Sequence, residues 1–269
     1  MNKTIGIFGG GQLGRMMAQA ALPLNLQCTF FEAETNCPAA ILGSVFSSKN
    51  EQGLQDFIAS ADVFSLEFEN TPVADVDVLT QTKTLHPPRL ALATAQNRLA
   101  EKALFDQLAI PVAPYRAVDS LESLKQAVAE LGLPIVLKTV TGGYDGKGQF
   151  VLRSEDQIDT AWAELGPAKS LIAESFVKFS REVSIIAVRG QNGDVKTWAL
   201  AENHHHNGIL SHSIVPAPNS TDLQPVAQDY ITRLLNHLNY VGVLTLELFV
   251  TEQGLYANEM ACRVHNSGH

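Results

Sequence analysis

The spacing of apolar and polar positions changes period repeatedly along the chain, and each change marks an element. Thr4 to Phe8 is a short apolar run that ends in GGGQLG, and from Leu13 to Leu22 apolar residues return at helical spacing. Gln27 to Phe31 is the next apolar run, ending at Glu32. Gln52 to Ser60 then reads as a helix, and Asp62 to Phe68 as a strand followed by Glu69, Asn70, Thr71 and Pro72. Strand and helix alternating in this way predict an open parallel sheet. A helical pattern from Leu90 to Leu108 carries Arg98 and Lys102 four residues apart, the usual pattern of a solvated face. Ile110-Pro111-Val112-Ala113-Pro114 interrupts it as a linker would.

Past the break the pattern predicts a smaller α+β module. A strand runs to Val118, and an amphipathic helix from Ser120 to Leu131 has Ser120 with Ser123 at its start and Gly132 after its end as caps. Pro134 to Leu137 is an apolar strand delivering Lys138, Gln149 to Leu152 is the return strand, and a helix spans Asp156 to Leu165 before the strand Leu171 to Val177. The remainder reads as a sheet with one long helix. Its strands are Glu182 to Val188, Lys196 to Leu200 and Glu202 to His206; the helix is Asp222 to Leu238; Val241 to Phe249 and Leu255 to Met260 form a hairpin.

Two glycine segments carry candidate chemistry. Gly9, Gly11 and Gly14 match G-x-G-x-x-G between a strand and a helix, with Glu32 where a ribose-binding acid would stand. The pattern fits a dinucleotide, and more generally a phosphate at a helix N-terminus. Gly11, Gln12, Glu67 and Glu69 are expected to line one crevice at the strand ends. The second segment, TGGYDGKGQ, brings Gly142, Gly143, Gly146 and Gly148 together with Tyr144, Asp145 and Lys147. Glycine-dense backbone can fold over a phosphate chain and present several N–H groups to it. An ordinary glycine hairpin is the plainer alternative, although it leaves Lys138 on an apolar strand unexplained.

Farther on, Glu247 and Glu259 stand on neighbouring apolar strands, and a buried carboxylate needs a partner. A hard cation such as Mg²⁺ bridging phosphates suits two of them. His204, His205 and His206 are adjacent, so on a strand they point to opposite faces and cannot all ligate one ion. Cys28, Cys37 and Cys262 lack metal-ligand spacing and read as reduced thiols.

Composition narrows the partners. With 269 residues, 45% hydrophobic content and a net charge of -9, the chain suits one or two globular domains and disfavours nucleic acid and anionic membranes. A charged stretch followed by an apolar run is not found at the N-terminus, so a cytoplasmic location is expected.

Four strings, GGGQLGRM, SLEFENTP, TGGYDGKGQ and NEMACRVHNSGH, occur in the order in which they occur in the carboxyaminoimidazole ribonucleotide synthase family of ATP-grasp ligases, which the chain resembles along essentially its whole length. The resemblance implies a mixed α/β and α+β fold: a Rossmann-like, parallel-sheet domain over residues 1–109, an ATP-grasp lid over 110–179 and an ATP-grasp C-terminal subdomain over 180–269. It differs in having Cys262 where the family usually has proline. The family continues for roughly another hundred residues of domain material, so the last subdomain is expected to be incomplete.

The resemblance also implies the ligands: ATP, Mg²⁺, bicarbonate and 5-aminoimidazole ribonucleotide, in a homodimer. Arg98 and Lys138 would contact the ATP phosphates, with Gly143, Tyr144, Asp145, Gly146, Lys147, Gly148 and Gln149 closing over them. Glu174, Ser175, Phe176 and Val177 would meet adenine through their backbone, Glu182 would bond the ribose hydroxyls with His205 near the nucleotide, and Glu247 and Glu259, beside Asn258, would hold Mg²⁺. Tyr144, Asp145, Arg263, His265 and Asn266 would face bicarbonate and the ribonucleotide, with Arg263, Asp145 and His265 catalytic. Gln12 and Leu13 would take the 5′-phosphate, and Glu69 would orient the ribonucleotide. Another ATP-grasp ligase, an NAD-dependent oxidoreductase and a nucleotide-sensing protein without turnover are the alternatives.

Overall fold

The computed structural model describes residues 3–142, 148–166, 170–206 and 209–268. The chain opens with β1 (Thr4–Phe8), α1 (Gln12–Ala21), β2 (Gln27–Glu32), β3 (Gly43–Ser47), α2 (Gly53–Ser60), β4 (Val63–Leu66), α3 (Val73–Thr80) and β5 (Thr84–Leu85). The strands form a parallel sheet in the order β3-β2-β1-β4-β5. The chain leaves β1 first toward β2 and β3, then returns to the other side with β4, which makes a crevice beyond the carboxyl ends of β1 and β4. Phe8, Phe31, Phe57 and Phe64 pack edge-on and stacked beneath it. Gly6 is needed there, because a Cβ would lie 2.3 Å from the Phe64 ring.

The single helix predicted from Leu90 to Leu108 is two, α4 (Arg89–Ala95) and α5 (Arg98–Gln107). Asn97 breaks it: its side chain accepts from the Ala100 amide at 3.0 Å and caps α5. Ile110 to Pro114 is no free linker either. Ile110 and Ala113 are buried, the Pro111 carbonyl accepts from Ala257 and the Pro114 carbonyl from Ser175.

The middle module comprises β6 (Tyr115–Val118), α6 (Leu121–Leu131), β7 (Ile135–Thr139), β8 (Gln149–Leu152), α7 (Ile158–Leu165) and β9 (Leu171–Ser175), with the antiparallel order β6-β9-β7-β8. Ser120 and Ser123 form the expected capping box. The module has a core of its own, built on Leu124, Ile135, Leu137, Leu152 and Leu171. The last part contains β10 (Arg181–Arg189), β11 (Val195–Thr197), β12 (Ala201–His206), β13 (Ile209–Ile214), α8 (Leu223–His237), β14 (Gly242–Thr251) and β15 (Gly254–Ala261). Its antiparallel sheet runs β13-β12-β10-β14-β15, with β11 also on β10. One core joins this sheet to the first, extending from Phe8 and Phe64 through Phe105 and Leu235 to Leu246 and Cys262.

Candidate active site

At the strand ends of the first sheet the glycine fingerprint has an unexpected occupant. Glu67, just after β4, reaches the N-terminus of α1, where its Oε2 accepts from the Gly11 amide at 2.7 Å and its Oε1 from the Leu13 amide at 3.0 Å. A Cβ at Gly9, Gly11 or Gly14 would come within 2.5 to 2.8 Å of that carboxylate, so the three glycines make room for Glu67. Glu32, the candidate ribose acid, is likewise engaged, accepting from the Gly10 amide at 3.1 Å and from Ala33 at 2.8 Å. An anion does sit at the helix N-terminus, as its dipole favours, but it is the protein's own carboxylate. This corrects the expectation that the Gly11 and Leu13 amides hold a phosphate, and it removes the donors and the acid that a dinucleotide would use. Above them lies a cavity of about 430 Å³, lined by Leu13, Glu67, Phe68, Asn70 and Arg263 among others. Gln12 is exposed and does not line it.

Arg263 is brought to this cavity by the turn after β15 and is gripped by Glu69, whose two oxygens accept from its Nε and, at 3.2 Å, its Nη2. Burial alone would raise the Glu69 carboxyl, but the hydrogen bond and charge of Arg263 outweigh it and leave the pKa below its ordinary value. The sequence placed both residues on the ribonucleotide side without showing that they pair with each other.

The second part of the site lies between the middle module and the last sheet. Lys138 on β7 donates to Glu174 on β9 at 3.1 Å, and Lys102 on α5 approaches the same oxygen at 3.7 Å. Burial raises the Glu174 pKa, and the two lysines, led by Lys138, more than offset it, so the net direction is down. Its other oxygen, Oε1, is buried with no hydrogen-bond partner among the described residues. The sequence assigned Glu174 a backbone role; its side chain is the counter-ion of two lysines. Lys102 corrects the solvated-face reading, since it is only 2% exposed. Arg98 joins through its backbone amide to Val140 and through Nη1 to the Thr139 carbonyl at 3.4 Å.

Next to them, the Ser175 and Phe176 amides donate to the Pro114 and Pro134 carbonyls, so these two N–H groups serve the fold. The exposed Phe176 ring lies under the Arg153 guanidinium. Gly148, at φ +73°, turns the chain into β8, where Gln149 pairs with Lys138. Gly143, Tyr144, Asp145, Gly146 and Lys147 lie outside the described residues.

Glu247 on β14 and Glu259 on β15 are register partners, as their assignment to one cation requires. They face each other because of a β-bulge. Leu248 pairs with Ala257, yet Glu247 pairs with Glu259, which leaves Asn258 as the extra residue. Strict alternation would put Glu259 on the buried face of Leu255 and Ala257; the bulge turns it outward, and its side chain is solvent-exposed. Protein mass around this recess, followed by the charge of Glu247, still raises its pKa, while Arg98, Lys138 and Lys102 act in the opposite direction. Beyond the pair, Glu182 meets His205 Nδ1 at 3.2 Å. Burial raises the Glu182 pKa, with Glu247 adding to it and His205 opposing.

Two facing carboxylates, with the charges of Arg98, Lys138 and Lys102 acting on Glu259, fit Mg²⁺, which takes one or two carboxylates plus substrate phosphates. Among the described residues no group of three or more His, Cys, Asp and Glu is placed to hold a metal by itself. The three histidines diverge accordingly: His205 goes to Glu182, while His204 stacks on His212 at 4.5 Å.

Two expectations at the chain's end are corrected. His265 is buried with both ring nitrogens engaged, Nε2 to Glu247 Oε1 at 2.9 Å and Nδ1 to Ser267 Oγ at 2.8 Å, so it orients a carboxylate and has no nitrogen left to face bicarbonate. Asn266 lines a different cavity, of about 490 Å³, with Trp198, His212 and Ser213. Sequence reasoning also missed Glu101. Its Oε1 accepts from the Met260 amide at 2.7 Å, and burial, together with the charge of Glu259, pushes its pKa up to about 8. The signal was present, because Glu101 falls three and four positions before Leu104 and Phe105, and Lys102 three before Phe105, on the apolar stripe of α5.

Comparison with known proteins agrees with this geometry. A ribonucleotide synthetase preATP-grasp domain model matches residues 1–96, and an ATP-grasp domain model matches residues 103–269. The N5-carboxyaminoimidazole ribonucleotide synthase of Brucella melitensis is 44% identical over 99% of this chain and 75% of its own length. The crystal structure of N5-carboxyaminoimidazole ribonucleotide synthetase from Thermus thermophilus is similar with a TM-score of 0.93 and 42% identity, covering 98% of this chain and 72% of that one. The Aspergillus clavatus enzyme in complex with ADP and 5-aminoimidazole ribonucleotide is similar with a TM-score of 0.91 and 27% identity, covering 100% and 72%. On the strength of this similarity and of the site that underlies it, the chain belongs to the N5-carboxyaminoimidazole ribonucleotide synthase family of ATP-grasp enzymes.

Proposed function

We propose that the protein joins bicarbonate to the exocyclic amine of 5-aminoimidazole ribonucleotide at the expense of ATP, giving 5-(carboxyamino)imidazole ribonucleotide for purine biosynthesis. The observation that carries this reading is the facing pair Glu247 and Glu259, two carboxylates suited to a metal-bound triphosphate, with Lys138 and Lys102 held nearby on Glu174. Residues 1–109 serve as the ribonucleotide-binding unit, 110–179 as the lid and 180–269 as the phosphate and metal unit. Arg98 and Lys138 bind the phosphates under Gly143–Gln149, Glu174–Val177 borders adenine, and Glu182, met by His205, holds the ribose. Glu247 and Glu259 hold Mg²⁺ beside Asn258. When bound, the ion neutralises and bridges phosphate oxygens.

A bicarbonate oxygen attacks the γ-phosphorus as the bond to the β-phosphate oxygen breaks, so ADP leaves and carboxyphosphate forms. The amine nitrogen then attacks the carboxyl carbon, phosphate leaves, and the nitrogen loses a proton. The residues contribute chiefly alignment and charge in such a transfer. Arg263, already oriented by Glu69, borders the cavity above Leu13 and is placed to steady the carboxyl group or the ribonucleotide. Tyr144 and Asp145 are assigned to the same face. Among the described residues no helix is long and apolar enough to cross a membrane; the working form is taken to be a cytoplasmic homodimer. ADP release measured with each substrate omitted in turn tests the reading. Release that needs both bicarbonate and the aminoimidazole ribonucleotide supports it, and release driven by a different amine or acid overturns it.

A further inference from the structure

The edge of the last sheet and the helix beside it suggest how the metal carboxylates are aimed. β15 is an edge strand, so one side of its backbone has no strand partner. The groups on that side around Glu259 are taken by consecutive side chains of α5: Lys102 Nζ donates to the Asn258 carbonyl at 2.8 Å, and Glu101 Oε1 accepts from the Met260 amide at 2.7 Å. Lys102 also reaches the Ala257 carbonyl at 3.5 Å, so it holds both residues at the bulge. The bulge alone puts Glu259 opposite Glu247; without it Glu259 would pair with Leu246 on the other face. Glu101 and Lys102 are 3% and 2% exposed. Burying two ionisable groups is costly, and here both spend a hydrogen bond on the backbone on either side of Glu259.

We infer that Glu101 and Lys102 are positioning residues that clamp the peptide groups on either side of Glu259 and so fix the aim of that carboxylate toward the metal and phosphates. This rests on the assignment of Glu259 to Mg²⁺. Neither side chain need touch substrate. Groups that orient ligands typically change metal affinity by about ten- to a hundredfold when removed.

The test uses the full chain and calorimetric binding of Mn²⁺ to its ADP complex, alongside metal-free ADP binding and the Mg²⁺ concentration giving half-maximal ADP release. Glu101→Leu is expected to weaken Mn²⁺ binding about tenfold or more while leaving metal-free ADP binding unchanged, and Glu101→Gln, which keeps an acceptor for Met260, to restore it to within about threefold. Lys102→Met should weaken Mn²⁺ binding similarly and, through Glu174, affect ADP as well. Folded Leu and Met variants that bind Mn²⁺ like the parent, while Glu259→Gln does not, overturn the clamp. If Glu259→Gln also binds like the parent, the metal assignment fails instead. Failure of both α5 variants to fold, with Glu101→Gln unchanged in every reading, marks the pair as structural and overturns the proposal too.

Discussion

Lys138 shows how one residue's surroundings set its use. It is 18% exposed, its Nζ is held by Glu174, and that carboxylate is shared with the fully buried Lys102. Replacing Lys138 with alanine removes a cation fixed from beneath the phosphates, so turnover should fall by about a hundredfold or more, as for loss of a preorganised charge in other active sites. Steady-state ADP release checks this; activity within a few-fold of the parent contradicts it. Glu69 gives a pH signature. Its folded pKa lies below the ordinary 4.5, so the stability it contributes is present above that value and is lost as pH falls through the folded pKa. Glu69→Gln should therefore flatten the acid limb of stability below about pH 4.5, measured by denaturant unfolding across pH.

Much at this scale was legible. Lys138 and Glu247 betrayed themselves as charges on apolar strands. Glu67 did not, because nothing in a glycine motif says whether the anion it admits is a ligand or a side chain fifty-odd residues away.

Elements were read where their period was long and their faces distinct, and lost where these failed. VADVDVLT forms α3, yet its alternation imitates a strand. ILSHSI forms β13 at a sheet edge with mostly exposed positions, so it has no apolar face to betray it. The bulge at Asn258 was out of reach, since period-two counting assumes an unbroken ladder and the extra residue reverses every facing after it. The α1 turn supplies the prediction here. A methyl group at Gly11 would stand 2.5 Å from Glu67 Oε1, so Gly11→Ala must push the carboxylate off the helix N-terminus and leave part-buried donors unmatched. A loss of about 1–3 kcal/mol in unfolding free energy is expected, and a variant as stable as the parent would show that Glu67 is not what the glycines accommodate.

At the scale of the molecule, the first and last sheets share one core, whereas the middle module has its own. Chain order alone gave the three parts but not this grouping, because the long-range packing of α4 and α5 on β15 has no local signature. A module with its own core, joined to the rest by the packed segment 110–114 and by residues 176–180, is expected to open as a unit when that packing gives way. Hydrogen exchange should therefore find β7 and β9 exchanging together through an opening that leaves β10 and β14 protected, and MgATP should slow it. Simultaneous exchange of all four strands would contradict this.

On the proposed function, bicarbonate is activated by the γ-phosphate of ATP in this site and handed to the aminoimidazole ribonucleotide. Bicarbonate labelled with ¹⁸O tests it most directly, because attack on phosphorus leaves a bicarbonate oxygen in the phosphate released. One labelled oxygen is expected in each phosphate, formed one-to-one with carboxylated ribonucleotide. Unlabelled phosphate, or labelled phosphate that accumulates without carboxylated ribonucleotide, would contradict it.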